Sequence, residues 1–441
     1  MAAEMTQGYL EECESDPMLR RKKSAFTRKR KLWAKRLIMI LLQRLAMSLQ
    51  LSLDHFYEFI EEQPVSKQAF SKARAGLNPE FIRKFADGIA EIQVQDANTP
   101  SYLGMRLIAM DGTDIALENS DELKKAFGCS GPNQSAATAL GSLAYGPLDH
   151  AIYDCQIAPY TTDERDLAKL HMTRLLELGL GGSLLLFDRW YPSAEFLAYT
   201  QNAGFFYVMR VRKKWNLQVD AVQTEDRVTL FHENQQFQVR VLKVEIPGGG
   251  SETLLTNLPE TLLPRENAAE LYFKRWAMET AFDILKAKLQ LENFSGKTVV
   301  SVKQDFYAAV YFAGFIMICA ADADKLIEDA DQDKHLKYHR KANLNRSIAY
   351  LRNRFWTILL EEDPTIRSHL LDRLCQDIAQ RPESVRPGRS PARKNLVTSA
   401  STSLKKLFFL KLTAVVFIIE KVFRKWRLRY ANTIITNRRL S

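Results

Sequence analysis

The 441-residue sequence has few cysteines and shows none of the common nucleophile or nucleotide-binding signatures, which excludes several classes of protein. Its five cysteines, Cys13, Cys129, Cys155, Cys319 and Cys375, lie far apart, and no two form a CxxC pair. We therefore expect reduced thiols rather than a disulfide framework or a zinc site. No serine triad, cysteine–histidine nucleophile or phosphate-binding loop is recognisable either.

Apolar runs long enough to cross a membrane are also missing. Two segments come closest, but residues 306–321 are bounded by Asp305 and Asp322, and the shorter stretch 407–419 contains Lys411. A spanning helix needs roughly 20 apolar residues, so we interpret the first segment as a buried core helix. The start of the chain is acidic rather than apolar, which predicts no signal peptide. We expect a soluble cytoplasmic protein without a membrane partner.

Positive charge is in excess. Lys and Arg number 62 against 52 Asp and Glu, which gives a net charge of +10 and a pI near 9.2. Ten of these cations lie between Arg20 and Arg36, interleaved with Phe26, Leu32 and Trp33. Such a run is compatible with an ordinary solvated surface or with phosphate contacts. Among partners, a polyanion and above all nucleic acid is favoured.

The segment after this basic run has the pattern of short helices. A helix is followed by a turn at 63–65, a second helix that Ser66 caps and Gly76 ends, and then a third helix. Two short helices with a tight turn fit a helix-turn-helix, although a plain helical hairpin fits nearly as well. In the first interpretation the second helix presents to a DNA groove the residues Lys67, Gln68, Lys72 and Arg74.

From about residue 103 the pattern changes to that of an α/β fold. Three strands, a helix, a buried strand, a helix and a fifth strand follow one another. Residues 215–256 alternate without helical periodicity, which predicts an inserted β-rich subdomain. A helix over 264–290 and a long core helix over 300–328 come next. The strand sequences are "RLIAMDGTDIAL", "ATALGSLAYG", "HAIYDCQIA", "GSLLLFDRWYPS" and "FFYVMRVRKK".

The helix predicted over 264–290 carries a regular polar stripe. At about 100° per residue, Tyr272, Arg275, Glu279 and Lys286 fall within an arc of about 60°. The opposite side is apolar, so we expect one amphipathic helix with the stripe facing solvent or a ligand. The apolar residues are Phe273, Ala277, Met278, Ala281, Ile284 and Leu285.

Three carboxylates on separate elements suggest phosphoryl-transfer chemistry. Asp111 and Asp188 each end a predicted buried strand, although either alone could simply form a turn. Together with Glu279 they offer hard oxygen ligands for Mg²⁺ or Mn²⁺. Two such ions can activate water against a phosphodiester, and Arg275 and Lys286 would supply positive charge for the anionic substrate.

These residues resemble a known family. The stripe matches the Y-x2-R-x3-E-x6-K signature of the DDE transposases of bacterial insertion sequences, in the group called IS-four, and the similarity covers roughly residues 25–325. The resemblance implies a ribonuclease-H-like core with Asp111, Asp188 and Glu279 as catalytic triad and ligands of two Mg²⁺ ions, which Mn²⁺ can replace. Other blocks that resemble the family are "AMDGTDIAL", "LLLFDRWYPS" and "LENFSGKTVVSVKQDFYAA".

The resemblance also implies roles and partners. Tyr272, Arg275 and Lys286 would contact double-stranded DNA, namely the transposon ends and the target. Members of the group are thought to cut through a hairpin, so Trp276 either stacks on an unpaired base or is an aromatic at the rim that packs the helix. The expected protein is a nucleoid-associated transposase that acts as a homodimer on DNA. The alternative is a catalytically silent DNA-binding regulator derived from one.

The pattern changes along the chain predict five regions. Residues 1–98 form a helical DNA-binding region, 99–330 a catalytic domain, and 331–380 a helical C-terminal region. A basic linker over 381–402, rich in Pro, Arg and Ser, and a basic amphipathic tail over 403–441 follow. The sequence assigns no role to the tail.

Overall fold

The computed structural model describes residues 1–28, 30–43, 47–96, 99–131, 135–245 and 250–386. The tail predicted over 403–441, and all but the first residues of the predicted linker, lie outside the described residues. Residues 1–385 cluster as one unit.

Five helices precede the sheet. Side chains of Ser48, Ser66 and Asn78 accept hydrogen bonds from backbone N–H groups at the starts of the third, fourth and fifth helices, as helix caps do. The two short helices and the turn predicted for a helix-turn-helix are therefore present, while DNA reading stays a prediction. The helices are α1 (Ala2–Glu12), α2 (Ala34–Gln43), α3 (Leu49–Phe59), α4 (Lys67–Arg74) and α5 (Pro79–Gln95).

Arg74, at the end of α4, is buried rather than exposed as the predicted DNA contact requires. Its side chain is only 3% exposed and forms an ion pair of 2.9 Å with the buried Asp305. The guanidinium also donates to the Gln304 side chain at 2.9 Å and to Ser295 Oγ at 2.7 Å. Sequence periodicity placed Arg74 on an outer face because it could not show that the side chain reaches Gln304 and Asp305 on a buried helix. Lys67, Gln68 and Lys72 are exposed.

A nine-stranded sheet forms the centre of the described residues. Its first strand pairs antiparallel with the third and parallel with the fifth, the third pairs antiparallel with the fourth, and the fifth and sixth are parallel. The core order is therefore 4-3-1-5-6, which is compatible with a ribonuclease-H-like fold and confirms the α/β prediction. The strands are β1 (Leu107–Ala116), β2 (Cys129–Ser130), β3 (Ala136–Tyr145), β4 (Ile152–Pro159), β5 (Leu184–Phe187), β6 (Phe206–Val211), β7 (Glu225–His232), β8 (Gln235–Glu245) and β9 (Ser251–Thr256).

Helices cover both faces of this sheet. Because side chains alternate along a strand, Ile108 and Met110 join one apolar cluster while Leu107 and Ala109 join another. The first cluster includes residues of two helices that follow β4 and β5, and the second includes residues of α5 and of the long helix near the C-terminus. The helices between the strands are α6 (Asp121–Phe127), α7 (Glu164–Glu177), α8 (Ala194–Asn202) and α9 (Leu217–Ala221).

The segment predicted as a β-rich insertion extends the core sheet. β9 pairs antiparallel with β6, and β8 and β7 follow outward. The sequence predicted strands in this segment but did not show that they continue the core sheet. The alternation of polar and apolar residues does not identify which strand pairs with which. Pairing with β9 satisfies the backbone N–H and C=O groups of β6 that an open sheet edge would leave exposed.

The predicted single helix over 264–290 is four consecutive segments. α10 (Arg265–Phe273) leads into a 3₁₀ turn (Lys274–Trp276), then α11 (Ala277–Asp283) and a π-helical turn (Ile284–Lys288). A 3₁₀ turn advances about 120° per residue rather than 100°, so the residues before it are out of phase with those after it. Phe273, predicted to face inward with the apolar residues after the turn, is 52% exposed, and Tyr272, predicted on the outer stripe, is 7% exposed.

The long core helix predicted over 300–328 is α12 (Val299–Asp331). It is long and apolar enough to cross a membrane by composition, but 78% of its most apolar window is buried inside the protein. The expectation of a buried core helix is thus confirmed. α13 (Leu344–Leu360) and α14 (Pro364–Ala379) follow it. All five cysteines are free thiols, and four of them are buried.

The Arg74–Asp305 pair yields a stability prediction. Arg74→Ala should lower the free energy of unfolding by about 3–5 kcal/mol, because the carboxylate of Asp305 would remain buried without its guanidinium partner. Lys72→Ala, on the exposed side of the same helix, should change it by less than about 0.5 kcal/mol. Urea unfolding of the full-length chain measures both, and equal effects of the two substitutions would contradict the structural role of Arg74.

Candidate active site

Asp111 lies in the middle of β1 rather than at its end, where the sequence had placed it. The parallel pairing of β1 with β5 covers only Leu107 to Ala109, whereas the antiparallel pairing with β3 continues to Ala116. Asp111 therefore lies just past the end of the parallel pair, even though the strand continues. A carboxylate at this place faces the crevice where parallel strands end.

Asp188 follows β5 directly, as predicted. Its Oδ1 accepts a hydrogen bond of 2.7 Å from the Trp190 N–H, which closes a tight turn. The charge of Asp188 contributes to the raised pKa of Asp111, so the two strand-associated acids lie near enough to influence each other.

Arg275 lies beside the acids. Its Nη1 donates to Asp111 Oδ2 at 2.9 Å, with side-chain exposures of 12% and 25%. Its guanidinium lies 5.8 Å from the ring centre of Tyr272, which is nearly buried beside it. Arg275 thus contacts a candidate catalytic carboxylate, whereas the sequence predicted a contact with DNA phosphate.

Glu164 is a fourth acid that sequence reasoning missed. A Cβ atom added to Gly112 would lie 2.9 Å from Glu164 Cδ, so the absence of a side chain at Gly112 makes room for this carboxyl beside Asp111. A signal was present in the sequence. Within the meander β4 runs in the same direction as β1 and β5, so an acid soon after β4 reaches the edge that Asp111 and Asp188 occupy.

The pKa values of Asp111 and Glu164 are raised in this site. Burial raises the pKa of Asp111 to about 7; Arg275 opposes the rise, and Asp188 and Glu164 reinforce it. Burial also raises the pKa of Glu164, although the nearby Tyr191 hydroxyl counteracts this. At neutral pH a large fraction of Asp111 is therefore protonated when no cation besides Arg275 is near.

A buried polar chain holds the backbone of Asp111. Ser142 Oγ donates to the Asp111 carbonyl at 3.2 Å and lies 2.9 Å from His171 Nε2. His171 Nδ1 in turn lies 2.6 Å from Asp154, which also accepts from Arg83 at 2.7 Å. The residue types are those of a serine-hydrolase triad, but Ser142 and His171 are almost completely buried, so no substrate reaches them. These hydrogen bonds fix β1, β3 and α7 relative to one another.

Glu279 and Lys286 lie on the irregular helical segment. Glu279 is exposed on α11, and Lys286 donates from the π-helical turn to the Asp114 carbonyl on β1. In the described ranges no three His, Cys, Asp or Glu side chains form a group that could hold a metal ion. Carboxylate oxygens such as those of Asp111, Asp188 and Glu164 are of the donor type that hard divalent cations prefer.

Exposed aromatic side chains surround this edge. Trp276, 50% exposed, stacks on Phe273 with ring centres 5.2 Å apart. Trp190, 58% exposed, projects from the loop after Asp188. The packing of Trp276 on Phe273 matches the rim-aromatic interpretation and leaves one ring face open. Its contact with an unpaired base stays a prediction.

The comparison with protein families supports a transposase domain. Residues 102–312 match the family described as "Transposase DDE domain", and this segment contains Asp111, Asp188 and Glu279. No curated protein matches the chain. One solved structure with similarity is a "Cryo-EM structure of piggyBac transposase synaptic complex with hairpin DNA", at 11% identity and a TM-score of 0.42, covering 83% of this chain and 78% of that chain.

The raised pKa of Asp111 predicts a pH-dependent effect of its substitution on stability. A carboxyl with a folded pKa above its unfolded pKa destabilises the fold once it ionises, so wild-type stability falls as the pH rises from about 4 through about 7. Asp111→Asn should therefore raise the melting temperature in metal-free buffer at about pH 8.5 and leave it nearly unchanged at about pH 4.

Scanning calorimetry with chelator at the two pH values measures this difference. Asp226→Asn, at an exposed position on β7, is the matched control and should show little dependence on pH. Destabilisation by Asp111→Asn at the higher pH would mean that the Arg275 ion pair outweighs the burial of the charge.

Proposed function

We propose that the protein is a DDE transposase of a bacterial insertion sequence. It would bind the terminal inverted repeats of its element, cleave the DNA strands and transfer the 3′ ends to target DNA. The observation that carries the proposal is the Asp111–Asp188–Arg275 arrangement at the sheet edge, inside the segment that matches the transposase DDE domain. The excess positive charge fits a DNA partner.

In this proposal Asp111 and Asp188 bind metal from two neighbouring strands. Two Mg²⁺ ions, replaceable by Mn²⁺, would activate the attacking oxygen and stabilise the leaving oxygen of an in-line displacement. Arg275 donates a hydrogen bond to Asp111 in the free protein and, being a cation at the same edge, would pair with a DNA phosphate once it leaves that carboxylate. Tyr272 packs under Arg275 and orients it, a role that replaces the direct DNA contact predicted from sequence.

Glu279 is proposed as the third carboxylate. α11, which carries it, has only seven residues and lies between a 3₁₀ turn and a π-helical turn. Such mid-helix irregularities occur at hinges and functional sites because their hydrogen bonds rearrange at low cost. We infer that α11 adjusts when DNA binds and brings Glu279 to the two aspartates. Lys286 anchors the following turn to β1 and lies where it can also meet the DNA backbone.

The N-terminal helices are proposed to hold the DNA ends. Lys67, Gln68 and Lys72 share the exposed surface of α4, whose other side is buried through Phe70 and Arg74. This leaves one polar and basic face that fits a groove or the phosphates along it. We further propose that the active form is a homodimer on DNA, as the family resemblance implies, and that the protein acts where the nucleoid is.

A DNA-binding regulator without catalytic activity is the second candidate. The same basic surfaces would serve it, but it would have no use for acids that repel one another at a raised pKa. Holding these acids together lowers the stability of the fold, and such an arrangement is typical of an active site. The enzyme is therefore favoured.

Substitution of the third acid separates the two candidates. Glu279→Gln should leave binding of element-end DNA in a gel shift nearly unchanged and should lower the rate of Mg²⁺-dependent strand cleavage by roughly 100-fold or more. Glu270→Gln, a neighbouring exposed carboxylate on α10, is the matched control and should cleave at the wild-type rate.

Cleavage by the Glu279→Gln protein at the wild-type rate would remove Glu279 from the site. Absence of cleavage by the wild-type protein, with end binding intact, would favour the regulator. Cleavage of any DNA regardless of its end sequence would instead indicate a structure-specific nuclease.

The exposed surface of α4 also predicts how the affinity for DNA depends on salt concentration. Lys67→Ala and Lys72→Ala should each weaken DNA binding and lower the slope of log affinity against log salt by about 1, if each contacts one phosphate. Fluorescence anisotropy across a salt series measures the slope. Lys325→Ala on α12, also exposed, is the control. An unchanged slope in both α4 variants would contradict the helix-turn-helix interpretation.

A further inference from the structure

The strand that carries Asp111 has one edge that a neighbouring strand covers only in part. β3 pairs with β1 as far as Ala116, but on the other edge β5 pairs only with Leu107 to Ala109. Past Ala109, no other strand of the described residues pairs with this edge. The backbone N–H and C=O groups there need other partners, because unpaired polar groups destabilise a fold and favour pairing with other chains.

Alternate residues of β1 direct their backbone groups toward this edge. The Arg106 carbonyl faces it, since it accepts a hydrogen bond of 2.8 Å from the N–H of Leu184 on β5. Residues an even number of positions further along a strand face the same edge, so Asp114 and Ala116 face it too. At about 3.3 Å per residue they lie about 10 Å and about 17 Å beyond Asp111.

Two side chains that follow α11 satisfy those backbone groups. Lys286, in the π-helical turn, donates to the Asp114 carbonyl, and Glu292 accepts a hydrogen bond of 3.1 Å from the Ala116 N–H. The two side chains also pair with each other, with 3.8 Å between Lys286 Nζ and Glu292 Oε1. One donor and one acceptor therefore occupy the edge in the alternating pattern that a paired strand would provide.

The backbone that carries Glu292 is held on both sides. Before it, the Leu291 N–H donates to the Leu285 carbonyl at 2.9 Å, and the Leu291 side chain is 1% exposed. After it, the Ser295 N–H donates to Asp305 Oδ2 on α12 at 2.7 Å, and Ser295 Oγ donates to the same oxygen at 2.8 Å. Glu292 therefore reaches β1 from a fixed loop, although its own side chain is 40% exposed.

We propose that Glu292 is a positioning residue, which holds the signature segment, residues 272–286, against the strand that carries Asp111. The segment bears Arg275 and Glu279, and its 3₁₀ and π-helical turns leave it without the rigidity of a continuous helix. By fixing the end of this segment to β1, the Glu292 carboxylate sets where Glu279 lies relative to the two aspartates. The inference rests on the proposed strand cleavage, in which it gives a role to a residue outside the acids.

Three variants separate the hydrogen-bond acceptor of Glu292 from its charge. Glu292→Ala removes both, and Glu292→Asp shortens the side chain by one methylene, so that its carboxylate no longer reaches Ala116. Glu292→Gln keeps an oxygen that accepts from the Ala116 N–H and loses only the charge beside Lys286. Because exposed ion pairs contribute little, the Gln variant should retain the positioning.

Single-turnover cleavage of element-end DNA with Mg²⁺ measures the effect in the full-length chain. Glu292→Ala and Glu292→Asp should lower the rate by about 10-fold to 100-fold, because small displacements of reacting groups have effects of that size. Glu292→Gln should stay within about threefold of wild type. The dissociation constant for the same DNA, measured with chelator, should not rise in any variant, since no phosphate contact is removed. Weaker binding with an unchanged cleavage rate would overturn the positioning role.

Glu122→Ala is the matched control. Glu122 is also exposed and also accepts one backbone hydrogen bond of 3.1 Å, from the N–H of Val299 at the start of α12. Its loss should lower stability to a similar degree without slowing cleavage. Equal slowing by Glu122→Ala would overturn the positioning role, as would equal cleavage rates in Glu292→Gln and Glu292→Ala.

Hydrogen exchange gives a readout that does not depend on cleavage. In Glu292→Ala the amides of residues 112–116 and 277–288 should exchange faster than in wild type. Glu292→Gln should show wild-type exchange, and Glu122→Ala should show faster exchange only near the start of α12. If this pattern appears but wild-type protein cleaves no DNA, the positioning of the segment stands and the transposase proposal fails. If wild type and Glu292→Ala cleave equally and exchange equally, the transposase proposal stands and the positioning role fails.

Discussion

The ion pair between Arg275 and Asp111 is the interaction on which the candidate site depends. It joins the signature segment to the central strand and opposes the rise that burial causes in the pKa of Asp111. Without a cation at this position, Asp111, Asp188 and Glu164 would repel one another in a poorly solvated crevice. In the proposed function the same guanidinium would meet an incoming DNA phosphate, and the cation that pairs with Asp111 in the free protein would then link substrate binding to exposure of the acids.

Three strand directions explain why acids from distant parts of the chain meet. β1, β4 and β5 run in the same direction within one sheet, so the residues that follow their paired stretches reach one edge. Asp188 was predictable because it directly follows a short buried strand. Asp111 was predictable as a residue but not in its position, because β1 continues along β3 after it leaves β5. Glu164 was not predicted because it is the first residue of the helix that follows β4 and not a residue at a strand end.

The order of strands and helices in the core was readable from alternation, caps and turns, whereas tertiary partners were not. Arg74 had the sequence context of a surface residue, and only its contact with Asp305 of α12 shows that it is a buried ion-pair partner. The signature segment looked like one helix because its spacing fits 3.6 residues per turn, and the 3₁₀ and π-helical turns have no clear signal in composition. Local periodicity predicts an element, but the phase of its faces depends on what it packs against.

The long helix α12 is part of one apolar cluster that also contains residues of α1, α2, α5 and the sheet. Thr6 on α1 is hydrogen-bonded to Tyr311 of this helix, and Arg74 of α4 to its Asp305. If α4 binds DNA, the protein would therefore hold the bound DNA sequence at a fixed distance from the acids, because both are joined to the same long helix. The cut would fall a constant number of base pairs from the gripped sequence, and adding base pairs between the two would move the cut instead of stretching the protein.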